Sequence, residues 1–547
     1  MAGNKKSRGC SLFFYEFSNI RYQIRNAIPG FFFLFFLLFS VNALAQDRCS
    51  ALKKVSLPDT TITKAESIGP GPFHSPANTA FQQSPAVNLP SYCRVAAVLH
   101  PSPDSHIEME LWLPEKGWNG KFQAVGNGGF AGTISYGAMA LALREGYATV
   151  STDTGHKGGN ALFGIGHPEK IVDYAYRSVH EMTVKSKSLI RGFYGKGPRL
   201  SYWNGCSTGG RQGLMEAQRY PEDYDGIIAG AAANYHSHLH ASDMAIAVPI
   251  LKNPEMNVSA AKLKMLHTAV MNACDKLDGV KDGIITDPEE CHFDPATLLC
   301  KDGDSVNCLT RPQLDAVESV YSPVKFSSGD IIFPGKAPGS ETSWMMFNSR
   351  QPSPVSMGTF ILTYQDADWD WKTFDKDRDT RLADEKTGFI NAIDPDLRAF
   401  RDHGGKLILY HGWNDAGISP YNTINYYNSV LSFMGPGQKD WIRLFMVPGM
   451  GHCRGGNCPD QANYIGAMER WREAGTAPDR INAYRVNDNR VDMTRPLCPY
   501  PEVAVYTGTG STNDAENFIC RAKDGKERLL KLLSLYFLER MDANGHE

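Results

Sequence analysis

Apolar and polar positions along the chain change rhythm several times. Basic residues (Lys5, Lys6, Arg8, Arg21, Arg25) lead into the apolar run FFFLFFLLF at 31–39, then into Ala43-Leu44-Ala45. A basic start, a short apolar core and an A-x-A site predict a secretory signal peptide over 1–45, since a spanning helix needs ~20 apolar residues. Gln46, not Cys, follows the cut, which argues against a lipoprotein. Residues 46–95 are rich in Ser, Pro and Thr with little periodicity and predict a loop-rich arm, tied down by Cys49 and Cys93. From about residue 96 strands alternate with helices. Residues 107–113 (IEMELWL) alternate as a strand does, and 122–125 form a strand that runs into Gly126-Asn127-Gly128-Gly129. Residues 147–152 read as a buried strand. Ala175, Val179, Met182, Leu189 and Phe193 recur at helical spacing. A short strand at 199–203 precedes Gly205-Cys206-Ser207-Thr208-Gly209, a helix continues through Met215 and Ala217, and 227–229 form the next strand.

The alternation then stops, to resume at 406–410 (KLILY) and 442–447 (IRLFMV). A gap of this length cannot be a loop, because loops between elements run to a few residues; it predicts an inserted domain. Alternating strands and helices imply a mostly parallel sheet covered on both faces. The fold class is therefore α/β, with a large inserted lid domain. Its parts are an arm over 46–95, a first core part over 96–233, the lid over 234–400 and a second core part over 401–547.

Composition narrows the function classes. The chain has 547 residues, 42% hydrophobic and 21% charged, as a globular protein does. Lys+Arg 56 against Asp+Glu 59 leaves a formal charge of −3, with no basic excess to hold a phosphate backbone, so nucleic acid is excluded as a partner. Of 12 cysteines, only Cys10 precedes the expected cut, and no C-x-x-C pair suggests a zinc ribbon or thioredoxin site. Scattered cysteines behind an export signal predict disulfides in an oxidising compartment, periplasmic or extracellular, with an odd thiol left over.

The candidate chemistry centres on Gly205-Cys206-Ser207-Thr208-Gly209, a G-x-S-x-G sequence between a strand and a helix. The serine of such a turn stands on strained backbone, small neighbours avoid clashes, and the following helix directs its N-terminus at developing negative charge. Ser207 is the candidate nucleophile. It needs a base oriented by an acid, in the chain order Ser, Asp, His for this fold. Asp415 follows KLILY in the sequence His411-Gly412-Trp413-Asn414-Asp415, and His452 follows IRLFMV in Pro448-Gly449-Met450-Gly451-His452. Both fall past strand ends, where such sheets place their sites. His411 is the competing base, but it would break the order; four residues before the acid, it is instead expected to border the acyl pocket and bind substrate. Oxyanion donors are expected from the amide of Thr208 and from Gly128 or Gly129, with Gly129 preferred. Cys206 and Cys453 each adjoin a triad residue, so a Ser207–His452 contact would bring them together and predicts a disulfide between them.

The stretches WNGKFQAVGNGGFAG (118–132), SYWNGCSTGGRQGLMEAQRYPEDYDGIIAG (201–230), GGKLILYHGWNDAGISP (404–420) and MVPGMGHC (446–453) resemble the tannase and feruloyl esterase family, which includes the bacterial mono(2-hydroxyethyl) terephthalate hydrolase. The family's Cys-Ser, Asp and His-Cys motif is matched by Cys206-Ser207, Asp415 and His452-Cys453. Asp275, Asp278 and Asp282 crowd one loop, whose hard oxygens suit Ca²⁺ although the spacing is not that of an EF-hand; from the residues alone a solvated acidic turn is equally open. The resemblance implies structural calcium held by those side chains and the carbonyls of Val280 and Ile284. It also implies the pairings Cys49–Cys93, Cys274–Cys291, Cys300–Cys308 and Cys498–Cys520, with Cys458 free. The implied fold is the α/β-hydrolase fold with a large inserted lid domain, and the implied activity is hydrolysis of esters of aromatic acids, feruloyl-esterase fashion, through an acyl-enzyme. The substrates are small aromatic esters or plant cell-wall and polyphenol esters, with no membrane partner once the leader is cut. A tannase or another aryl-ester hydrolase, such as a terephthalate monoesterase, is the alternative, and a non-catalytic phenolic-binding protein the competitor from another class. Trp344, Trp369, Trp371, Phe374 and Tyr364 of the lid could face a planar acyl ring or form the lid's own core.

Overall fold

The architecture is described from a computed structural model, in which residues 48–74, 87–130 and 132–522 are described. The leader expected at 1–45 lies outside the described residues. Nine strands form the main sheet: β1 (Thr60–Ile68), β2 (Tyr92–Leu99), β3 (Ile107–Pro114), β4 (Lys121–Val125), β5 (Ala148–Thr152), β6 (Leu200–Cys206), β7 (Gly226–Gly230), β8 (Lys406–Gly412) and β9 (Ile442–Val447), in the order β1-β2-β3-β5-β4-β6-β7-β8-β9. β1, β2 and β3 run antiparallel to their neighbours, and β5, β4 and β6 to β9 are mutually parallel. The parallel strands are buried along nearly their whole length, as strands covered on both faces must be.

The arm differs from the loop-rich segment expected. Residues 60–68 form the edge strand β1, and β2 begins at Tyr92, inside the segment assigned to the arm. β1 alternates only weakly, because one of its faces meets solvent and a bulge between Ile62 and Lys64 breaks its register. That is why its period was hidden in the sequence. Cys49–Cys93 pins the start of the described chain to β2.

Helices α1 (Tyr136–Arg144), α2 (Ser178–Tyr194) and α3 (Thr208–Arg219) connect the first core strands. Between β7 and β8 the chain leaves the sheet and builds α4 (His236–Lys252), α5 (Ala260–Cys274), α6 (Arg311–Tyr321), α7 (Pro354–Tyr364) and α8 (Lys376–Thr387). α6 starts on a capping box of Thr310 and Gln313. The insertion has apolar cores of its own: Trp344 is fully buried beside Tyr321 and Phe347, while Phe360, Tyr364, Trp369 and Phe374 stack together. The lid aromatics are thus used in packing the lid. After β8, α9 (Pro420–Met434) and α10 (Tyr464–Ala474) complete the covering layers. A three-stranded sheet of 461–462, 481–487 and 490–497 and a hairpin of 503–506 with 518–521 then close the chain. No helix among the described residues is long and apolar enough to cross a membrane.

Candidate active site

The register of the parallel strands aligns the site. Cys206 pairs with Gly230, Gly230 with Tyr410 and Tyr410 with Phe445, so β6 to β9 share one rung, beyond which β8 and β9 run on to Gly412 and Val447. Ser207 follows β6 at φ 64°, ψ −124°, a conformation a non-glycine residue adopts only when its surroundings impose it. They do so here: its N–H donates to Gly230 O at 3.0 Å, and its carbonyl accepts from the amides of Arg211 and Ala233. A side chain at Gly205 would stand 2.4 Å from Gly209 O, and one at Gly412 would stand 2.3 Å from Met450 O. Glycine is thus required under the serine and where the acid's strand meets the histidine's loop.

The expected triad residues come together. Ser207 Oγ lies 2.9 Å from His452 Nε2, and His452 Nδ1 lies 2.7 Å from Asp415 Oδ2. Asp415 is fully buried, and its Oδ1 accepts the amides of Gly417 (2.8 Å) and Ile418 (2.9 Å). Burial alone would push its pKa up. The charge of His452 and the bonds from His411 and His452 outweigh burial and hold it well below the carboxylate range. For His452, desolvation lowers the pKa, but the Asp415 charge and hydrogen bond raise it further, and the net direction is upward.

His411 does not border a pocket. It is fully buried under the acid, with Nε2 3.0 Å from Asp415 Oδ2 and 3.1 Å from Ile418 O, and Nδ1 2.7 Å from Thr423 Oγ1. Four residues along an extended strand and its turn carried it beneath the carboxylate rather than beside it. With both ring nitrogens engaged and no exposed surface, it cannot touch substrate. One oxygen of Asp415 therefore faces two imidazoles.

Thr208 is the first residue of α3, where an amide has no partner within the helix. Its Oγ1 donates to Gly129 O at 2.9 Å, and Tyr174 OH donates to the same carbonyl at 3.1 Å. Gly129, at φ +55°, is thereby held against the nucleophile's helix. Asn127 and Gln212 fix this loop and escaped the sequence reading. The Asn127 amide donates to Gln212 Oε1, Gln212 Nε2 donates back to Asn127 Oδ1, and Asn127 O accepts the Gly209 amide at 2.8 Å. The signal available was a polar Asn directly after a buried strand.

All five disulfides expected are present, among them Cys206–Cys453 with its Cα atoms 6.0 Å apart, and among the described residues Cys458 is the free cysteine. Burial pushes the Cys458 thiol up to about 12, so it is inert as a nucleophile. In the acidic loop, Asp275 Oδ1 accepts the amides of Asp282 and Gly283, and Asp278 accepts Val280 N–H and Thr286 Oγ1. Asp282 accepts Ile284 N–H and pairs with Arg495 at 2.6 Å. Burial and the like charges of Asp278 and Asp275 push Asp282 up against the pull of Arg495. The oxygens of these three carboxylates are thus taken up by loop amides, Thr286 and Arg495, and do not gather within 4.8 Å of one another. Ile284 also packs on Gly449 of the histidine's loop. A second carboxylate group, His180, Glu216 and Asp223, has ligand atoms within 4.8 Å of one another. There, burial and the neighbouring Asp223 push Glu216 well above its ordinary value.

The family model for tannase and feruloyl esterase matches residues 93–521. This chain belongs to the tannase and feruloyl esterase family. It is a carboxylic ester hydrolase. A Xanthomonas campestris pv. campestris protein named "Uncharacterized esterase" is 36% identical over 88% of this chain and 92% of its own. "Probable feruloyl esterase B" of Aspergillus clavatus is 35% identical over 87% and 95%. The crystal structure of feruloyl esterase B from Aspergillus oryzae is 31% identical, superposes with a TM-score of 0.82, and is covered over 87% of this chain and 100% of that one.

Proposed function

We propose that this esterase is exported and hydrolyses esters of aromatic carboxylic acids through an acyl-enzyme on Ser207. The observation that carries the reading is the unbroken line Ser207 Oγ, His452, Asp415 at 2.9 and 2.7 Å on the strained turn after β6. Ser207 Oγ attacks the ester carbonyl and its proton passes to His452 Nε2. Asp415 holds Nδ1–H and stabilises the imidazolium. The tetrahedral oxyanion is received by the Thr208 amide and the loop at Gly129, each such donor contributing on the order of 10²–10³ in rate. Protonation by His452 releases the alcohol. Water then attacks the acyl group through the same histidine, releasing the acid and restoring Ser207. His411 is a positioning residue: it occupies the second lone pair of Asp415 Oδ2 and keeps the carboxylate from turning away. Five disulfides support an oxidising compartment.

Calcium belongs to the same proposal. Asp275, Asp278 and Asp282, with the carbonyls of Val280 and Ile284, would hold it, and it would neutralise their mutual repulsion. The loop so stiffened supports the histidine's loop through Ile284 and Gly449. Hydrolysis of methyl ferulate, methyl gallate and a terephthalate monoester by the purified protein tests the substrate class. Turnover of simple aliphatic esters alone would overturn it.

A further inference from the structure

At the far end of the nucleophile's helix, three ligating side chains meet from three segments. His180 comes from α2, Glu216 from the last turn of α3, and Asp223 from the turn that leads into β7. One ligand atom of each lies within 4.8 Å of those of the other two. His180 Nδ1 stands 2.6 Å from Asp223 Oδ2. The imidazole is held in orientation by stacking on Tyr220, with ring centroids 3.8 Å apart and planes 10° apart. Asp223 is held from its backbone, since its N–H donates to Tyr220 O at 2.9 Å.

Glu216 is the member that the fold leaves unsatisfied. It is 1% exposed, and among the described residues neither oxygen of its carboxylate has a hydrogen-bond partner. A carboxylate taken out of water in this way requires a compensating charge. The nearby cation, Lys187, is turned to Asp223: its Nζ donates to Asp223 O at 2.5 Å and stands 3.9 Å from Asp223 Oδ1. Two carboxylates against one lysine leave one negative charge over. A proton shared between Glu216 and Asp223 would take it up, and so would a metal cation. The proton accounts for the carboxylate pair alone, whereas a cation also uses the imidazole nitrogen placed on the same spot. The His180 side chain is 28% exposed and that of Asp223 10%, so an ion and a water ligand can enter from the histidine's side. One imidazole nitrogen with two carboxylate oxygens suits Zn²⁺, whereas Ca²⁺ and Mg²⁺ take oxygen alone. Bonds of about 2.0–2.2 Å in a tetrahedron put ligand atoms roughly 3.4 Å apart, a spacing these three reach by small side-chain rotations. The ion would replace the proton on His180 Nδ1 and any proton on Glu216, both leaving to solvent.

We propose that His180, Glu216 and Asp223 form a site for a divalent transition-metal ion of the Zn²⁺ class, which clamps the last turn of α3 to α2. The site is separate from the triad: Glu216 lies eight residues beyond Thr208, about 12 Å along the helix. The test is a calorimetric titration of the chelator-stripped full chain with Zn²⁺, run in excess Ca²⁺ so that the acidic loop at 275–284 is supplied with its own ion. The wild type should take up one tight equivalent of Zn²⁺, and its melting temperature should rise with it. His180→Phe keeps the stack on Tyr220 and loses the nitrogen; Glu216→Gln keeps the shape and loses the charge. Each should weaken that equivalent by at least about 100-fold and abolish the Zn²⁺-dependent rise in melting temperature. Because His180 is half-buried and Glu216 fully buried, the first variant still reports if the second does not fold. Co²⁺ in place of Zn²⁺ should give the visible absorption of a four-coordinate site in the wild type and in neither variant. No tight equivalent in the wild type, or equal uptake by all three proteins, would leave Glu216 and Asp223 sharing a proton and overturn the site. Displacement of Zn²⁺ by the excess Ca²⁺ would overturn the class of ion.

Discussion

In the parallel half of the sheet, Ser207, Asp415 and His452 follow β6, β8 and β9, and Cys206, Gly230, Tyr410 and Phe445 share one rung across those strands. In the insertion, Asp243, Lys336 and Ser356 come from α4, from a stretch outside any helix or strand, and from α7, with no shared ladder to align them. The first group is positioned by backbone hydrogen bonds that every member of such a sheet must make. The second is held through side chains, Ser356 donating to Asp243 at 3.0 Å and Lys336 to the carbonyl of Gly417 at 3.0 Å. The triad is thus carried by the part of the molecule whose backbone the sheet holds in place.

Several substitutions would break or sharpen that contrast. The largest effect should come from Ser207→Ala, which removes the nucleophile and leaves the pairing of β6 intact. Ester turnover should fall by on the order of 10⁴ or more, with the melting curve unchanged. Asp415→Asn should cost about 10⁴ in kcat, since it favours the wrong tautomer of His452. His411→Asn, which only loosens the acid, should cost on the order of 10–100-fold in kcat with KM kept. Equal losses in the two variants would make His411 more than a positioning residue.

The disulfides offer the same contrast as stability. Cys206–Cys453 spans 247 residues and ties the nucleophile's turn to the histidine's loop, whereas Cys300–Cys308 spans 8 within the insertion. Chain-entropy reasoning gives the long closure about 5 kcal/mol and the short one about 2.5 kcal/mol. Double serine variants, compared by denaturant unfolding, should fall in that order, and only the first should lower kcat strongly. Removing calcium with a chelator should lower the melting temperature, by the equivalent of about 3 kcal/mol if the ion is present at a hundredfold its Kd. Unchanged melting, with no calcium found by elemental analysis, would reject the site.

The smallest effect concerns pH. His452 acts as a base only when neutral, and its pKa is raised by Asp415. Activity should therefore fall as pH drops through a value above the ordinary imidazole pKa of about 6.5. In Asp415→Asn the raising charge is gone and the residual activity's acid limb should move to lower pH. The linked stability has the opposite sense: the His452–Asp415 attraction is fully present below the unfolded pKa of His452 and is lost as pH rises through its folded value.

The difference between the two regions also explains what could be read from the chain. Buried parallel strands such as IRLFMV are visible as apolar runs, and the residues just after them carry the site, so Ser207, Asp415 and His452 were legible. β1 was not, because an edge strand with one wet face loses its period. His411 was placed wrongly because sequence distance from the acid says nothing of which side of a turn a ring takes; its burial and its bond to Thr423 are tertiary facts. The lid tryptophans read equally as pocket or core, and packing decided for core.

The central claim is that Ser207 is the one activated serine. Treating the native protein with a fluorophosphonate and mapping the labelled peptide tests it directly. The account predicts a single phosphonylated residue, Ser207, with labelling abolished by prior denaturation and by substitution of His452. An unlabelled native protein, or a label on another serine, would contradict it.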